Sequence, residues 1–417
     1  MAADNNLDTY FRKGFGLKAE VQVTLEADYS GHLVNVLRDR EYELTAEGVT
    51  VRLAREFGFC YGVERAVEYA YQTRSKFPGR RIFLVGEIIH NPHVNDKLRS
   101  MGIEILLPSA AGGETRFDFS VLTPEDVVIL PAFGVTVHDF ERLRVIGCVM
   151  VDTTCGSVLN VWKRVESYAR DGFTSLIHGK HYHEETRATA SQVTRYQGAH
   201  YLVVRDMAEA LEVCSYMEGL ANREQGTGNR KQGTEEFLQK FASRASEGFQ
   251  PDRDLRRIGV ANQTTMLARD SLAIAQELGK AMARAFGDEY AAANFRSFDT
   301  ICSATQDRQD AVKALLDEPL DAMVVIGGYN SSNTISLAAL CAERVTTYHV
   351  EDATAIDPEA GTIRHKPIGT HDDVETAEWL PSSPPVRVGI TAGASTPNNK
   401  IGEAVARVFA TAQLHRA

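Results

Sequence analysis

Three times along the chain, a short extended run ends in a cysteine and passes directly into a helical pattern. The runs end at Cys60, Cys155 and Cys302 and cover residues 49–60, 144–155 and 294–302, and the helical patterns that follow cover 61–74, 156–170 and 303–316. This recurrence predicts three related α/β units, each with a cysteine where a strand gives way to a helix. Three such units around an axis would bring the three thiols together.

Short runs rich in β-branched residues alternate with longer helical patterns along the rest of the chain. The runs are 81–85, 126–133, 174–179, 201–204, 321–328 and 386–391. Such alternation is typical of α/β units with mostly parallel sheets. We therefore expect an α/β fold of similar units with parallel-rich sheets.

The unit boundaries follow from the positions of the cysteines and of the polar stretches. The prediction is an N-terminal extension at 1–48, a first unit at 49–155, a second at 156–299 and a third at 300–417. Residues 49–60 are expected to pack with the third unit. Polar stretches at about 221–256 and 352–385 predict insertions, the first partly helical from about Glu235 to Ser246 and the second a further insertion or long loop.

Charge and the N-terminal sequence argue against several classes of partner. The 417 residues carry a formal net charge of −11, and Lys and Arg are scattered, so no basic face for nucleic acid or anionic lipid is apparent. The first residues lack the pattern of a secretory or transit signal, and no apolar run is long enough to span a bilayer. We expect a cytoplasmic protein that binds neither nucleic acid nor membrane.

The six cysteines fall into two groups. Cys148, Cys214 and Cys341 lie in apolar patterns, as expected of free cysteines in hydrophobic cores. Cys60, Cys155 and Cys302 lie at helix starts, where main-chain N–H groups and the helix dipole favour the thiolate that binds iron. Three thiolates without a fourth suit a [4Fe–4S] cluster with one open iron, whereas electron carriers usually have four cysteines. A zinc site stays open as an alternative, although no C-x-x-C pair supports it.

Polar turns recur near these cysteines. They are GEIIHNPHV (86–94), HGKHYHEETRATAS (178–191), ANQTTML (261–267), GGYNSSNT (327–334) and TAGASTPN (391–398). Main-chain N–H groups and hydroxyls at such turns are the donors that bind a phosphate or diphosphate, although any one turn alone is explained by helix capping. The chain has no GxxxxGK[ST] motif, so a nucleotide P-loop is excluded.

The chain resembles the LytB-type family of 4-hydroxy-3-methylbut-2-enyl diphosphate reductases, and its longer, plastid-type branch in particular. The motifs that carry the resemblance are GFCYGVERA, EIIHNP, DTTC, HGKHYHEET, NQTTM, TICSATQDRQ, NSSNT and TAGAS, in family order and over nearly the whole chain. The resemblance implies a three-lobed trefoil around a central iron–sulfur cluster. It also implies an oxidoreductase of the non-mevalonate isoprenoid pathway, with ferredoxin or flavodoxin as electron donor.

The resemblance also implies roles for particular residues. Cys60, Cys155 and Cys302 match the ligands of a [4Fe–4S] cluster with one open iron. Glu185 matches the carboxylate that delivers a proton, relayed through Thr264. The substrate and diphosphate pocket is implied to contain His90, His183, Thr264, Ser331, Ser332, Asn333 and Ser395. The implied reaction removes the hydroxyl of the allylic diphosphate with two electrons and two protons, and gives isopentenyl and dimethylallyl diphosphates.

Two residues depart from the family pattern. Phe133 lies where the short-form enzymes have a diphosphate-contacting histidine, and Gly156 follows Cys155 where proline is usual. A glycine leaves the first helical turn less preorganised, so a looser ligand is expected at Cys155. His178 and His181 are equally consistent with structural hydrogen bonding.

Two other functions remain open at this stage. One is a three-cysteine dehydratase or synthase of the quinolinate-synthase kind, which would not need the NSSNT and TAGAS turns. The other is an iron–sulfur sensor or scaffold, which would leave Glu185 and the hydroxyl groups without a purpose.

Overall fold

The computed structural model of the protein describes residues 9–109, 117–224, 230–381 and 385–415, with the main chain alone at 221–224 and 230–232. The strands are β1 (Tyr10–Phe11), β2 (Glu43–Ala46), β3 (Val49–Leu53), β4 (Ile82–Val85), β5 (Ile103–Leu106), β6 (Val127–Leu130), β7 (Val149–Asp152), β8 (Thr174–His178), β9 (Tyr201–Val204), β10 (Ile258–Asn262), β11 (Phe295–Ser297), β12 (Ala322–Ile326), β13 (Thr347–Val350), β14 (Ile356–Asp357), β15 (Thr362–His365), β16 (Val374–Ala377) and β17 (Val386–Ala392). The helices are α1 (Lys18–Tyr29), α2 (His32–Asp39), α3 (Tyr61–Lys76), α4 (Pro92–Ser100), α5 (Val137–Ile146), α6 (Gly156–Arg170), α7 (Glu184–Val193), α8 (Met207–Glu224), α9 (Arg230–Phe241), α10 (Pro251–Asp254), α11 (Ala268–Phe286), α12 (Asp288–Asn294), α13 (Ser303–Leu316), α14 (Ser332–Ala342) and α15 (Asn398–His415).

Most of the strands form three sheets, and nearly all of their pairings are parallel. The first sheet has the order β1-β7-β6-β4-β5, the second β11-β10-β8-β9 and the third β13-β12-β17-β3-β2. Only β2, at the edge of the third sheet, pairs antiparallel in these three sheets. The predicted fold class, α/β units with parallel-rich sheets, is confirmed.

Each of the three sheets is covered on both faces. The inner strands β4, β6, β8 and β12 are buried along their whole length, as expected for parallel strands between two layers of helices. The first sheet packs α1, α3 and α4 on one face and α5 on the other. The second packs α8 and α11 against α6 and α7, and the third packs α2 and α15 against α13 and α14.

The chain changes sheets at each of the three helix-start cysteines. Before Cys60, β3 lies in the third sheet, and after it α3 packs on the first sheet. Before Cys155, β7 lies in the first sheet, and after it α6 packs on the second. Before Cys302, β11 lies in the second sheet, and after it α13 packs on the third. Each cysteine therefore lies at a junction between two sheets, and β3, which precedes Cys60, belongs to the third sheet.

The N-terminal segment is built into two of the units. Strand β1 adds an edge to the first sheet, α1 packs against α3, α2 packs against α15, and β2 adds an edge to the third sheet. Residues 1–8 of the predicted extension lie outside the described residues, as do 225–229 and 382–384 of the predicted insertions.

Both predicted insertions contain regular structure. In the first, α9 runs from Arg230 to Phe241 and not to Ser246, because the chain then extends and its main chain bonds with β9 from residues 244 to 246. In the second, β14, β15 and β16 form a small antiparallel sheet packed against α15, where a loop was an open possibility.

Candidate active site

The three helix-start cysteines are tied to the three sheets by equivalent main-chain hydrogen bonds. Each cysteine N–H donates to a carbonyl two residues beyond the end of a strand that neighbours its own: Cys155 to Ala132 after β6 (2.9 Å), Cys302 to Thr264 after β10 (3.3 Å), and Cys60 to Ala394 after β17 (3.2 Å). The carboxyl ends of the three parallel sheets therefore converge on the cysteines, where sites of α/β proteins usually lie.

The sulfur atoms face one cavity. Cys60, Cys155 and Cys302 all line a space of about 90 Å³. A Cβ added to Gly62 would lie 2.5 Å from the Cys155 sulfur and 3.9 Å from the Cys60 sulfur, so glycine is required for the two ligand loops to meet. Three soft sulfur donors, none of them in a disulfide, fit an iron–sulfur cluster better than a hard cation.

Burial dominates the acidity of these thiols. It raises the pKa of Cys60, against the opposing effects of the Gly62 and Val63 N–H groups and of Arg308. It also raises the pKa of Cys302 to about 11, against two hydrogen bonds with Thr305. The N–H groups at these helix starts do favour the thiolate, but burial outweighs them, so binding of a metal must displace the protons of both thiols.

One buried cation lies behind the cysteines. Arg308 of α13 is 4% exposed, and its guanidinium donates to the carbonyls of Gly58, two residues before Cys60, and of Ala304. Its charge acts on the Cys60 thiol. Arg308 thus links the third unit to the loop that carries Cys60.

The other three cysteines lie in hydrophobic cores. Cys148, Cys214 and Cys341 belong to clusters on the first, second and third sheets, and burial raises the pKa of each. None of the three lines the cavity around Cys60, Cys155 and Cys302.

A buried carboxyl group faces the same cavity. Glu185, in the first turn of α7, is 1% exposed, and its two oxygens accept from the N–H (2.6 Å) and the hydroxyl (3.0 Å) of Thr264. Burial raises the pKa of Glu185 to about 7, although the two bonds from Thr264 oppose the rise. A group with this pKa can hold a proton at neutral pH and then release it, as a general acid must.

Two histidines lie beside the carboxyl group at the mouth of the cavity. The rings of His90 and His183 are 5.1 Å apart, and His183 caps α7 by accepting from the Glu185 N–H. His90 Nδ1 lies 2.9 Å from a carboxylate oxygen of Glu87, and its Nε2 lies 3.4 Å from one of Glu184. Burial lowers the pKa of His90, but these two carboxylates outweigh it and raise the pKa to about 9.

Phe133 completes this group of rings. It stacks on His90 with centroids 4.3 Å apart and meets His183 edge to face. The residue that replaces a histidine of the short-form pattern therefore supports both diphosphate-pocket histidines by packing. Gly156, the other departure, has no atom within 4 Å of an added Cβ, so no neighbouring group requires glycine there.

Hydroxyl and amide groups form another part of the cavity lining. Ser331, Ser332, Asn333 and Ser395 all line the cavity. Within the described residues, the Ser332 hydroxyl and the Asn333 side-chain NH₂ are buried without a hydrogen-bond partner, while the Asn333 oxygen accepts from the Ala394 N–H. Buried donors are rarely left unpaired, so these groups indicate the place of a polar ligand.

The inner cavity opens into a larger one. His90, Phe133 and His183 line both the inner space and an outer cavity of about 770 Å³, whose wall also contains Lys180, Arg205 and Lys366. His178 lies away from both, with its ring bonded to the Ser271 hydroxyl and its pKa lowered to about 4 by burial, as a structural residue. His181 is not in either lining.

The structure brings every predicted site residue to this one cavity. Sequence reasoning missed Glu87, Glu184 and Arg308. Glu87 lies three residues before His90 in EIIHNP, Glu184 lies between His183 and Glu185, and Arg308 lies in TICSATQDRQ. Their place in these motifs was a signal that could have found them, but their contacts are visible only in the structure.

Comparisons with known proteins agree on one family. The model of the LytB protein family matches residues 51–409. A 4-hydroxy-3-methylbut-2-enyl diphosphate reductase of Gloeobacter violaceus is 48% identical over 401 residues, which cover 96% of this chain and 92% of that protein. The enzyme of the same name from Thermosynechococcus vestitus is 45% identical over 405 residues, covering 97% and 95%.

Solved structures give the same result. A structure of (E)-4-hydroxy-3-methyl-but-2-enyl diphosphate reductase, the terminal enzyme of the non-mevalonate pathway, matches with a TM-score of 0.50 at 26% identity and covers 86% of this chain and 98% of that one. The E-1-hydroxy-2-methyl-but-2-enyl-4-diphosphate reductase of Plasmodium falciparum matches with a TM-score of 0.60 and covers 85% of this chain and 86% of that one. Because the two sequences are only 19% identical, this match shows a shared fold alone. Among the described residues, no helix is long and apolar enough to cross a membrane.

Proposed function

The chain belongs to the LytB protein family, and from this we propose that it reduces 4-hydroxy-3-methylbut-2-enyl diphosphate to isopentenyl and dimethylallyl diphosphates, the last step of the non-mevalonate isoprenoid pathway. Near full-length relatives of that name favour this reductase over a quinolinate-synthase-like enzyme or an iron–sulfur sensor.

The cofactor of the proposal is a [4Fe–4S] cluster held by Cys60, Cys155 and Cys302. Three sulfurs around one cavity, with no fourth cysteine in its lining, support a cluster with one open iron. When bound, such a cluster supplies electrons and a Lewis-acidic position for the substrate hydroxyl. The electrons come from a small carrier such as ferredoxin or flavodoxin.

The diphosphate is bound by two kinds of group in the cavity lining. His90 and His183 contribute imidazole rings, and hydroxyl and amide groups come from Ser331, Ser332, Asn333 and Ser395. The unpaired donors of Ser332 and Asn333 support this assignment, since a diphosphate oxygen would satisfy them. Holding the diphosphate here directs the hydroxyl-bearing end towards the cysteines and excludes water from it.

Glu185 supplies the proton. Hydroxide is a poor leaving group, and protonation lets it depart as water. Thr264 holds both oxygens of Glu185, so its hydroxyl can relay the proton towards the substrate. The observation that carries the proposal is this buried carboxyl group, with a pKa of about 7, in the same cavity as the three sulfurs.

Anaerobic turnover tests the proposed function directly. Protein with a reconstituted cluster should convert the allylic diphosphate to both five-carbon diphosphates when a chemical reductant is present. The products are separated and quantified by chromatography. Protein that holds iron and sulfide but gives neither product would overturn the proposal.

A further inference from the structure

Glu184 lies between the two histidines of the proposed diphosphate pocket. The nearest ligand atoms of His90, His183 and Glu184 all lie within 4.8 Å of one another. One Glu184 oxygen is 3.4 Å from His90 Nε2, the only ring nitrogen of His90 that is not already held by Glu87. A carboxylate thus occupies the position from which an incoming phosphate oxygen would contact His90.

The charges around Glu184 are those of an anion-binding site. Burial raises the pKa of Glu184, but the hydrogen bond and charge of His90, together with the neighbouring His183, outweigh burial and lower the pKa to about 2. Glu184 is therefore ionised, and His90, with its pKa near 9, is protonated on both nitrogens. A doubly protonated imidazole is a donor to anions and not a ligand for a metal cation, although two histidines and a carboxylate would otherwise suit one.

Glu184 also lies near a basic residue of its own helix. Glu184 and Arg187 both line a space of about 20 Å³ that shares part of its lining with the outer cavity. Residues three apart on a helix share a face, so the Glu184 carboxylate stays within reach of Arg187 when a diphosphate takes its place beside His90.

We propose that Glu184 is an internal anion that competes with the substrate diphosphate for His90 and His183. This proposal rests on the function proposed above. Without substrate, the carboxylate neutralises the charge of His90, and the diphosphate displaces it on binding. The product diphosphate is displaced in turn by the same carboxylate, so Glu184 weakens binding of substrate and product alike and assists product release.

A purely structural role for Glu184 predicts a different result. Glu184 is the first residue of α7, where a negative charge stabilises the helix through its dipole. Loss of that charge would lower the thermal stability slightly and leave anion binding unchanged or weaker. Competition predicts tighter anion binding.

The experiment measures binding of inorganic diphosphate to the anaerobic holoenzyme by calorimetry. Glu184→Gln keeps the shape of the side chain and removes its charge, and Glu184→Ala removes both. We expect the Kd for inorganic diphosphate to fall about five- to tenfold in both variants, and product inhibition to become stronger by a similar factor. An unchanged or higher Kd in both folded variants would overturn the proposal.

Three controls separate this inference from the proposed function. Glu141→Gln removes a carboxylate paired with Arg144 on the exposed face of α5 and should leave the Kd unchanged. Glu87→Gln removes the partner of the other His90 nitrogen and should raise the Kd, because no competing group is lost. His90→Ala and His183→Ala should abolish binding of inorganic diphosphate. If both variants still bind it as wild type does, the proposed diphosphate pocket and this inference fail together. If both histidine variants lose binding but Glu184→Gln binds like wild type, only this inference fails.

Discussion

At the scale of single residues, the chemistry depends on the different surroundings of two neighbouring glutamates. Glu184 faces two histidines and is ionised, with a pKa near 2, while Glu185 is enclosed with Thr264 and has a pKa near 7. The two environments separate the pKa values of these adjacent carboxyl groups by several units, so that at neutral pH Glu184 is ionised while Glu185 can hold a proton.

Replacement of Glu185 tests its role as proton donor. Glu185→Gln keeps the size of the side chain but removes the acid, so we expect kcat to fall by about 10² or more while the cluster is retained and substrate addition still changes its spectrum. Iron content, absorption spectra and turnover are measured on the same samples. A Gln variant as active as wild type would contradict the mechanism.

The pH dependence of wild-type turnover follows from the same pKa. Glu185 must be protonated to act, and burial raises its pKa from 4.5 to about 7, so kcat should decrease as the pH rises through about 7. Steady-state kcat measured from pH 5.5 to 9 with saturating substrate checks this. Constant kcat across pH 7 would exclude Glu185 as the acid in the rate-limiting step.

The hydrogen-bond donors of Asn333 and Ser395 are tested through substrate binding. Asn333→Ala and Ser395→Ala each remove a charge-assisted hydrogen bond of about 1.5–3 kcal/mol, so KM should rise about ten- to a hundredfold. Phe133→His should be tolerated, because it restores the residue of the short-form pattern. If KM and kcat stay unchanged in both alanine variants, the diphosphate binds elsewhere.

At the scale of elements, the starts of α3, α6 and α13 form the wall around the sulfurs. The residue that follows each helix-start cysteine is exposed to solvent, so a single residue separates the cavity lining from the surface at these points. These residues are Tyr61, Gly156 and Ser303. Two glycines in these first turns differ in their surroundings. Gly62 lies against the sulfurs, while nothing lies near an added Cβ at Gly156.

The two glycines form a matched pair of variants. In Gly62→Ala the new methyl group would overlap the Cys155 sulfur, which must move away, so we expect loss of most of the iron. Gly156→Ala places a methyl group in open space and should keep its iron and activity. Iron and sulfide assays after anaerobic purification give the answer, and equal iron content in both variants would show that Gly62 does not shape the cluster site.

At the scale of the whole molecule, the three cysteines hold the units together as well as lining the site. Each lies where the chain passes from one sheet to the next, and each is bonded to the end of a neighbouring strand. Arg308 adds a buried link between α13 and the loop before Cys60. Cluster binding should therefore stabilise contacts between all three units.

Cysteine replacements separate the two groups of thiols. Cys60→Ser, Cys155→Ser and Cys302→Ser should each lose the brown [4Fe–4S] spectrum and activity, and their Tm should equal that of wild type without its cluster. Cys148→Ala, Cys214→Ala and Cys341→Ala should keep the cluster and lose only about 1 kcal/mol of stability each, from the smaller core side chain. A cluster lost with Cys148→Ala but kept with Cys302→Ser would reverse the assignment.

The sequence by itself determined the local features of this protein. The three cysteines at helix starts, the apolar strands of parallel sheets and the polar turns are visible because each depends on neighbours along the chain, through helix capping, strand burial and turn geometry. The motifs shared with the family also identified the residues predicted to form the pocket, and all of these residues line one cavity.

Only the tertiary structure decided how these parts combine, because the deciding contacts join residues far apart in the chain. Parallel pairing placed β3 beside β17, and so put Cys60 where the chain passes from the third sheet to the first. Burial, which no local pattern records, raised the pKa of Cys60, Cys302 and Glu185. Tertiary packing also brought Glu184, at the start of α7, within 3.4 Å of the His90 ring, although the two residues are far apart in the sequence.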